Sequence, residues 1–291
     1  MYRQRIILFN TSERFMLEVV LSNLWLAGVV VMTLVYTVWI IHLRINDASI
    51  IDLVWGAGFG LVASALLLQV PRVTPFKVLL VAMPVIWSVR YTTFIFHRNL
   101  GHGEDDRYTR LREKIAQKGW WWPAFSFVCV YSFQAAAMLL VSSPLIIGLA
   151  ADESVSIGPV VVAGAALWVF GFFFEAIGDL QLEMFKNKHR DYDGPYEDKP
   201  VLDSGLWRYT RHPNYFGNAC MWWGIGIVAC CAPMGWVGLI GPAFMNFALV
   251  FLTGKANNES KMKARPAYRH YIQRTSGFFP LPPAAKRRPT T

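Results

Sequence analysis

Seven apolar stretches, each about as long as a bilayer crossing, constrain this chain more than any other feature. They cover residues 16–43, 50–70, 75–96, 123–149, 159–182, 214–231 and 234–253. A helix needs about 20 apolar residues to cross the hydrocarbon core, where every backbone polar group must be bonded within the protein. No alternating barrel pattern is present. The stretches therefore predict an all-α integral membrane protein with about seven transmembrane helices.

The composition supports this class and excludes others. Apolar types make up 54% of the 291 residues and charged types 16%, whereas about a quarter of a soluble domain is charged. So many apolar residues exclude a disordered chain. The four cysteines lie inside apolar stretches, which argues against a disulfide-stapled domain. The net charge of +9 lies mainly in segments between the stretches, as in an oriented membrane protein, so we expect no nucleic-acid partner.

The distribution of Lys and Arg predicts the orientation. Segments 98–122 and 183–213 carry six each, and 254–291 carries nine. With seven spans these three segments share one face, and positive charge is retained on the cytoplasmic side. The C-terminus is therefore predicted to be cytoplasmic and the N-terminus external. Arg3, Arg5 and Arg14 oppose this orientation, which leaves open an error of one span near the N-terminus.

Ionisable residues inside the stretches are candidate functional groups, because each costs about 2.5 kcal/mol or more at mid-depth. Glu175 and Asp179 are spaced i and i+4 and share one helix face. Their charges repel unless one is protonated or a cation such as Arg90 lies opposite. Asp52 opens the second stretch, where helix N-capping or snorkelling explains it as well as chemistry does.

The densest polar block is GLWRYTRHPNYFG at residues 205–217, directly before the sixth stretch. Pro213 suits the first turn of a helix, where free N–H groups and the helix dipole favour an anion. Arg208 and Arg211 add donors that match phosphate. The block therefore predicts a polyanion site at the membrane surface. A belt of Arg and Tyr that anchors to lipid headgroups is the alternative.

Two further segments are polar. Tyr268 and Tyr271 share a helix face that Arg274 extends, so this face can stack on a ring and hold a phosphate, or lie on anionic lipid. The segment 97–108 contains His97 and His102 with three carboxylates. Their spacing fits no common ligand motif and the nearby arginines oppose a cation, so no metal is predicted. A glycine-hinged loop that covers a cofactor is the interpretation we favour.

The motif at 207–217, the tail with Tyr268, Tyr271 and Arg274, and Phe279-Pro280 resemble the steroid 5-alpha-reductase superfamily. The likeness is greatest to its bacterial branch of polytopic membrane proteins, and it extends over about residues 45–283. Sterol reductases share the Arg-His-Pro-Asn-Tyr sequence. Isoprenylcysteine carboxyl methyltransferases, which use S-adenosylmethionine, share a similar Arg-His-Pro-x-Tyr and a Tyr-x-x-Tyr tail.

The resemblance implies a cytosolic-side pocket for NADPH in the C-terminal half. Relatives carry an acidic residue where this chain has Asn218. Steroid reductases also polarise their substrate with an acid and a tyrosine; the candidates here are Asp52 and Tyr91, although the tyrosine position aligns nearer Trp87. The positions that match the cofactor-binding motifs are Asp179, Lys186, Arg208, Arg211, His212, Asn214, Tyr215, Asn218, Tyr268, Tyr271 and Arg274.

These inferences predict one membrane domain over 1–291, with a substrate-side three-helix half at 16–122, a cofactor-binding half at 123–283 and a basic tail at 284–291. The predicted activity is NADPH-dependent reduction of a carbon–carbon double bond in a lipid-like substrate (a steroid, another enone or an isoprenoid), as in 3-oxo-5-alpha-steroid 4-dehydrogenases. An S-adenosylmethionine-dependent methyltransferase of the isoprenylcysteine or phospholipid type is the alternative, and a non-enzymatic lipid-binding protein is a third. We expect a monomer among the lipids of a cytoplasmic (inner) membrane.

Overall fold

The computed structural model describes residues 11–99, 101, 103–151, 155–252, 259 and 262–284. Within these ranges the regular structure is helical, and the only extended pairing is an isolated bridge between Thr210 and Ser276. The predicted all-α class is confirmed for this part of the chain. The α-helices are α1 (Thr11–Ile45), α2 (Ile51–Gln69), α3 (Pro75–Asn99), α4 (Asp106–Gln117), α5 (Trp122–Phe125), α6 (Phe133–Val141), α7 (Ser143–Gly148), α8 (Pro159–Lys188), α9 (Pro213–Ala229), α10 (Ile240–Phe247) and α11 (Pro266–Arg274).

Six helical segments in the described ranges are long and apolar enough to cross a membrane. The stretch predicted over 214–231 forms α9, which has 17 residues. At 1.5 Å per residue, α9 is about 25 Å long and falls short of a hydrocarbon core of about 30 Å. The six segments are Arg14–Ile45, Ala48–Gln69, Pro75–Asn99, Trp122–Val141, Pro159–Lys188 and Gly235–Leu252.

The chain divides into two compact units. The first comprises Met1–Val160 with Val228–Gly241, and the second comprises Val161–Ile227 with Pro242–Thr291. The predicted halves at 16–122 and 123–283 follow other boundaries, and their assignment to substrate and cofactor stays a prediction.

Helices α1, α2 and α3 form the centre of the first unit. Small residues let α2 and α3 approach closely: a Cβ atom at Gly60 would lie 2.8 Å from the Ser88 side chain. On another side, the Asn23 side chain donates to the main-chain oxygen of Ile146 over 2.9 Å, and Trp39 Nε1 donates to Ser126 Oγ over 3.1 Å. Asn23 and Trp39 are thus hydrogen-bonded to neighbouring helices, which satisfies their polar groups within the apolar unit.

The junction between α1 and α2 is built from local sequence. Asn46 ends α1 in the left-handed region, with φ of 55°, a conformation that Asn tolerates at a helix C-terminus. The Asp47 carboxylate then accepts from the Ser49 N–H over 2.9 Å, which caps the 3-10 turn Ala48–Ile50 that leads into α2. This junction places Asp52 in the first turn of α2.

In the second unit, α8 and α9 pack backbone against backbone. A Cβ atom at Gly217 would lie 2.5 Å from the Glu175 nitrogen, and one at Gly224 would lie 2.6 Å from the main-chain oxygen of Gly164. These contacts leave no room for a larger residue at either position of α9. The close crossing brings the polar residues of the two helices within hydrogen-bond distance.

Candidate functional site

Two amide–carboxyl pairs connect α8 with α9. Asn214 Nδ2 donates to Asp179 Oδ1, and Asn218 Nδ2 donates to Glu175 Oε2, each over 3.1 Å. Both carboxyl groups are buried, where a charge without hydrogen bonds is strongly disfavoured. Neutral amides of α9 therefore provide hydrogen bonds to the two carboxyl groups that share one face of α8. The Oδ1 atom of Asn218 is buried and has no hydrogen-bond partner among the described residues.

Arg211 precedes α9 and is buried. Its Nε and Nη2 atoms donate to the Glu259 carboxylate over 2.8 and 3.3 Å. Its Nη1 atom donates to the main-chain oxygens of Ile272 and Thr275. His212 Nε2 lies 3.1 Å from the same Glu259 carboxylate. The N–H groups of the Arg211 guanidinium therefore donate hydrogen bonds to residues of the C-terminal part of the protein.

The charges around Glu259 shift the pKa of two groups. Burial alone raises the pKa of the Glu259 carboxyl, but hydrogen bonds from His212 and Arg211 outweigh burial and lower it to about 2. Burial and the nearby charge of Glu259 raise the pKa of the Tyr268 phenol to about 12. At neutral pH the cluster thus combines an ionised carboxylate with a protonated phenol.

The C-terminal segment packs on the block at 205–217. The Tyr271 hydroxyl donates to the main-chain oxygen of Trp207, whose indole Nε1 donates to the main-chain oxygen of Gly178 over 3.0 Å. The Thr210 hydroxyl donates to the main-chain oxygen of Phe278 over 2.8 Å. Three segments far apart in sequence therefore meet in one polar cluster of the second unit.

Cations also lie at the surface of this cluster. Arg208 is exposed and has no ion-pair partner among the described residues. Lys186 is exposed near the end of α8. Arg274 forms an ion pair with Asp203. Arg208, unlike Arg211, presents an exposed positive charge to a ligand that approaches from solvent.

All eleven predicted cofactor-binding residues lie in the second unit. The structure brings together Asp179 with Asn214, and it stacks His212 on Tyr215 with ring centroids 5.2 Å apart. Tyr268 and Tyr271, predicted to share a face, have ring centroids 5.7 Å apart. Their role in holding a cofactor stays a prediction.

Asp52 forms a separate polar site in the first unit. Its Oδ2 atom accepts from Arg107 Nη2 over 3.0 Å, and the Tyr108 hydroxyl lies 3.5 Å from its Oδ1 atom. One turn along α2, Trp55 Nε1 donates to Gln134 Oε1 over 2.5 Å. In this arrangement Asp52 is a hydrogen-bond acceptor, held by residues of the segment that contains α4.

The groups around Asp52 titrate far from their ordinary range. Burial lowers the pKa of the Arg107 guanidinium, but its hydrogen bond to Asp105 and the charge of Asp52 outweigh burial and raise it. Burial, with the charge of Asp52, raises the pKa of the Tyr108 phenol well above its ordinary value. Burial raises the pKa of the Asp105 carboxyl, but hydrogen bonds from Arg107 lower this pKa by more. The pKa of Asp105 therefore lies below its usual range. Near neutrality Arg107 is charged and Tyr108 is protonated.

Tyr91, the predicted partner of Asp52, lies on α3. Its ring stacks on Trp87 with centroids 4.8 Å apart. A Cβ atom at Gly56 would lie 2.8 Å from Tyr91 Cδ1. Because Gly56 and Asp52 are spaced i and i+4 on α2, Tyr91 packs one turn further along the face that carries Asp52. The catalytic role of the two residues stays a prediction.

Sequence reasoning gave no role to Glu259, Glu104 or Gln134. A signal for Glu259 was available, since it is the only carboxylate in a tail with nine Lys and Arg residues. Gln134 is a polar residue inside a predicted span, which is itself a reason to look for a partner. Glu104 lies beside Asp105 and Asp106, and nothing in the sequence distinguishes it from these neighbours.

The chain is similar to a known protein family and to a protein of Schizosaccharomyces pombe. The family profile described as "Protein of unknown function (DUF1295)" matches residues 38–275. The chain is 25% identical over 223 residues to a protein of Schizosaccharomyces pombe (strain 972) named "Uncharacterized protein C594.04c". This match covers 68% of the chain and 61% of the relative, so the chain spans less than two thirds of the relative's length. No solved structure matches the chain.

Proposed function

Because this chain belongs to the DUF1295 family, and because its polar block and tail resemble those of the steroid 5-alpha-reductase superfamily, we propose that it is a membrane reductase. The proposed enzyme uses NADPH to reduce a carbon–carbon double bond in a lipid-like substrate. The polar cofactor reaches the protein from the cytosol, and the apolar substrate reaches it from the bilayer.

One observation carries this proposal: residues of α8, the block 205–218, Glu259 and the segment 262–275 converge on one polar cluster in a chain dominated by apolar helices. The buried Arg211–Glu259 pair (2.8 Å) joins two of these segments. A buried ion pair is weak evidence for stability, and retention of one in a polar cluster is a reason to look for function there. Lipid anchoring needs surface charge and aromatic rings, and it leaves this buried network unexplained.

The donor chemistry of the cluster fits a phosphate-bearing dinucleotide. Arg208 and Lys186 offer exposed positive charge for phosphate groups. The buried Oδ1 atom of Asn218, which has no partner among the described residues, matches an N–H donor such as a carboxamide. Tyr268, a protonated phenol at neutral pH, is a further donor. NADPH supplies the hydride, whereas the protein supplies position and charge.

Asp52 is the proposed proton donor, with Tyr91 as its partner. The Asp52 carboxyl group accepts from Arg107 through Oδ2 over 3.0 Å. It must take up a proton from solvent before it can act as an acid, and opening of the Arg107 contact favours this because it removes a positive charge that stabilises the ionised form. A buried proton donor beside a developing oxyanion is worth most in a dry cavity.

The structure weakens one argument against the methyltransferase alternative. Three cations near the cluster, Arg208, Arg211 and Lys186, exceed what S-adenosylmethionine requires. Because Arg211 donates to Glu259 and to two main-chain oxygens, fewer cations are available for phosphate. The binding experiment therefore includes S-adenosylmethionine as a competing ligand.

Thermal unfolding of the purified protein with NADPH, NADH or S-adenosylmethionine tests the proposal. A ligand at a hundred times its Kd stabilises the folded state by about 2.7 kcal/mol, so NADPH should raise Tm measurably. Arg208→Ala should weaken NADPH binding by roughly tenfold or more, the loss expected for a charged hydrogen bond. Arg110→Ala, which removes an exposed arginine of α4, is the control and should bind like the wild type.

The competing outcomes are distinct. Stabilisation by S-adenosylmethionine alone replaces the reductase with a methyltransferase, and stabilisation by none of the three ligands supports a non-enzymatic protein. Once a substrate is found, the rate of NADPH consumption by Asp52→Asn tests the proton donor. An unchanged rate removes Asp52 from the mechanism.

A further inference from the structure

Residues 103–117, here called the polar strap, lie in the first unit and include α4. Ile115 is the only buried residue of α4. A helix that docks with so little apolar surface is held in place mainly by its polar contacts, because apolar burial is the usual source of docking free energy. The strap therefore differs from the apolar helices that it contacts.

Glu104 ties the strap to the start of α2. Its Oε1 atom accepts from the Ala48 N–H over 2.8 Å and from Arg112 Nη2 over 2.6 Å. Arg112 Nη2 also donates to the main-chain oxygen of Asn46 over 3.1 Å. One carboxylate oxygen thus joins two residues of different segments, and its loss would release both.

The same strap covers Asp52. Arg107 pairs with the Asp52 carboxylate over 3.0 Å, and this arginine side chain is 46% exposed. Ion pairs that reach solvent are screened by salt and contribute little individually. The contacts that close the strap over Asp52 are therefore weak and sensitive to ionic strength.

Glycines flank the strap on both sides. Gly101 has φ of 77° and Gly119 has φ of 70°, and a Cβ atom at either would meet no heavy atom within 4 Å. Left-handed backbone is natural to glycine. Because neither position is packed against a neighbour, both can change conformation without disturbing a core.

In the closed state, polar atoms of the strap and of the residues around it lack hydrogen-bond partners. Both ring nitrogens of His42, Nε1 of Trp122 and Nε of Arg112 are buried and have no hydrogen-bond partner among the described residues. They belong to one cluster, since Arg112 lies over the Trp122 ring at 5.2 Å and His42 lies 6.0 Å from it. Buried polar groups without partners destabilise the arrangement that buries them.

We propose that the polar strap is a lid that alternates between a closed state, in which Glu104 and Arg107 hold it on α2, and an open state that uncovers Asp52. Weak ionic contacts, flanking glycines and unsatisfied polar atoms each lower the free-energy difference between the two states. The opening itself does not depend on which cofactor the protein binds. Its consequence, a carboxyl group released to act as an acid, rests on the proposed function.

Hydrogen–deuterium exchange on the full chain without added ligand tests the lid. The Ala48 amide bonds to the strap through Glu104, whereas the neighbouring Ser49 amide bonds to Asp47 of its own turn. Raising the salt concentration from about 0.02 to 1 M, which shortens the Debye length severalfold, should accelerate exchange at Ala48 and leave Ser49 and the centres of α2 and α3 unchanged. Equal behaviour of Ala48 and Ser49 across the salt series overturns the proposal.

A variant and a matched control complete the test. Glu104→Gln should accelerate exchange at Ala48 by roughly tenfold at low salt, because it removes the charge from a partly exposed contact in which the Arg112 side chain is 29% exposed. Arg110→Gln removes the outward-facing arginine that pairs with Asp106 over 3.7 Å and should leave Ala48 unchanged. Should Glu104→Gln unfold the whole unit, the wild-type salt series alone decides. Loss of NADPH binding with normal salt-dependent opening would reject the reductase and keep the lid.

Discussion

Glu259 shows how a single side chain organises the second unit. It accepts from Arg211 and His212, and its pKa falls to about 2 from an ordinary value of 4.5. A carboxyl group whose pKa is lowered on folding contributes stability above its unfolded pKa. That contribution is lost as the pH falls from about 4.5 towards 2.

The first prediction concerns this loss of stability at low pH. Between pH 6 and pH 3, the wild type should lose protection of residues 262–284 in hydrogen exchange, because Glu259 takes up a proton in the opened state below about pH 4.5 but stays ionised in the folded state. Glu259→Gln should cost about 3 kcal/mol at pH 7, the scale of a broken buried ion pair. The variant should also lose this part of the pH dependence. An identical pH profile in wild type and variant would contradict the assignment.

Asn218 lies at a position where the proposed reductase function predicts an acidic residue. Its amide donates to Glu175 over 3.1 Å. An acidic side chain at this position would instead bring two carboxyl groups together in a buried site. The asparagine therefore suits the pairing of α8 with α9 in this chain.

The second prediction is that Asn218→Asp lowers the free energy of unfolding at pH 7.5 by about 1–3 kcal/mol, because it replaces a hydrogen bond with like-charge repulsion or an unsatisfied group. Chemical denaturation in detergent measures the loss. Asn218→Asp combined with Glu175→Gln restores one donor and one acceptor and should recover most of it. If Asn218→Asp alone is as stable as the wild type, another group must offset the repulsion between its carboxyl group and that of Glu175.

At the scale of elements, glycines decide how α8 and α9 meet. At Gly217 and Gly171 an added Cβ atom would approach backbone atoms of the facing helix within 2.6 Å. Backbone cannot move aside as a flexible side chain can, so these positions permit only glycine. The closeness of the two helices is what allows short Asn side chains to reach the carboxyl groups of α8.

The third prediction is that Gly217→Ala destabilises the protein by about 2 kcal/mol, the usual cost of overpacking a tight interface, and that it weakens ligand binding in parallel. Gly28→Ala is the matched control, since a Cβ atom at Gly28 meets no heavy atom within 4 Å and alanine favours the helix. Thermal unfolding of the two variants compares them directly. Equal stability of the two variants would mean that α8 and α9 can move apart with no loss in the free energy of unfolding.

At the scale of the whole molecule, the number of membrane crossings determines on which sides of the bilayer the two termini lie. In the part of the chain that the structure describes, six helical segments are long enough to span the membrane, and α9 has 17 residues. Seven crossings place the two termini on opposite sides of the membrane, whereas six place them on the same side. The excess of Lys and Arg in segments 98–122, 183–213 and 254–291 favours a cytoplasmic C-terminus.

The fourth prediction is that the N-terminus is external and the C-terminus cytoplasmic. A fluorescent protein that folds only in the cytoplasm should be bright when fused to the C-terminus. Alkaline phosphatase, active only outside, should be active when it replaces the chain after the second span, which ends at Gln69. Activity of cytoplasmic reporters at both termini would mean that α9 does not cross the bilayer. A dark C-terminal fusion would reverse the orientation.

Hydrophobic length and local sequence already determined the class of this protein. Apolar runs indicate helices because a bilayer leaves no other partner for the backbone, and Pro213, Asn46 and Asp47 mark helix ends through local geometry. The block around Arg211 was recognisable as polar and basic, and its arginines were interpreted as ligands for phosphate.

Only the tertiary structure decided which partner each of these groups meets. It directs Arg211 to Glu259, pairs Asp179 and Glu175 with amides of α9, and holds Asp52 with Arg107 from a segment 55 positions away. Sequence periodicity shows which face of a helix a side chain occupies, but a contact between distant segments depends on how closely the helices approach. For the two amide–carboxyl pairs, that approach is set by the glycines at the crossing of α8 with α9, and it cannot be predicted from the local sequence around Asn214 or Asn218.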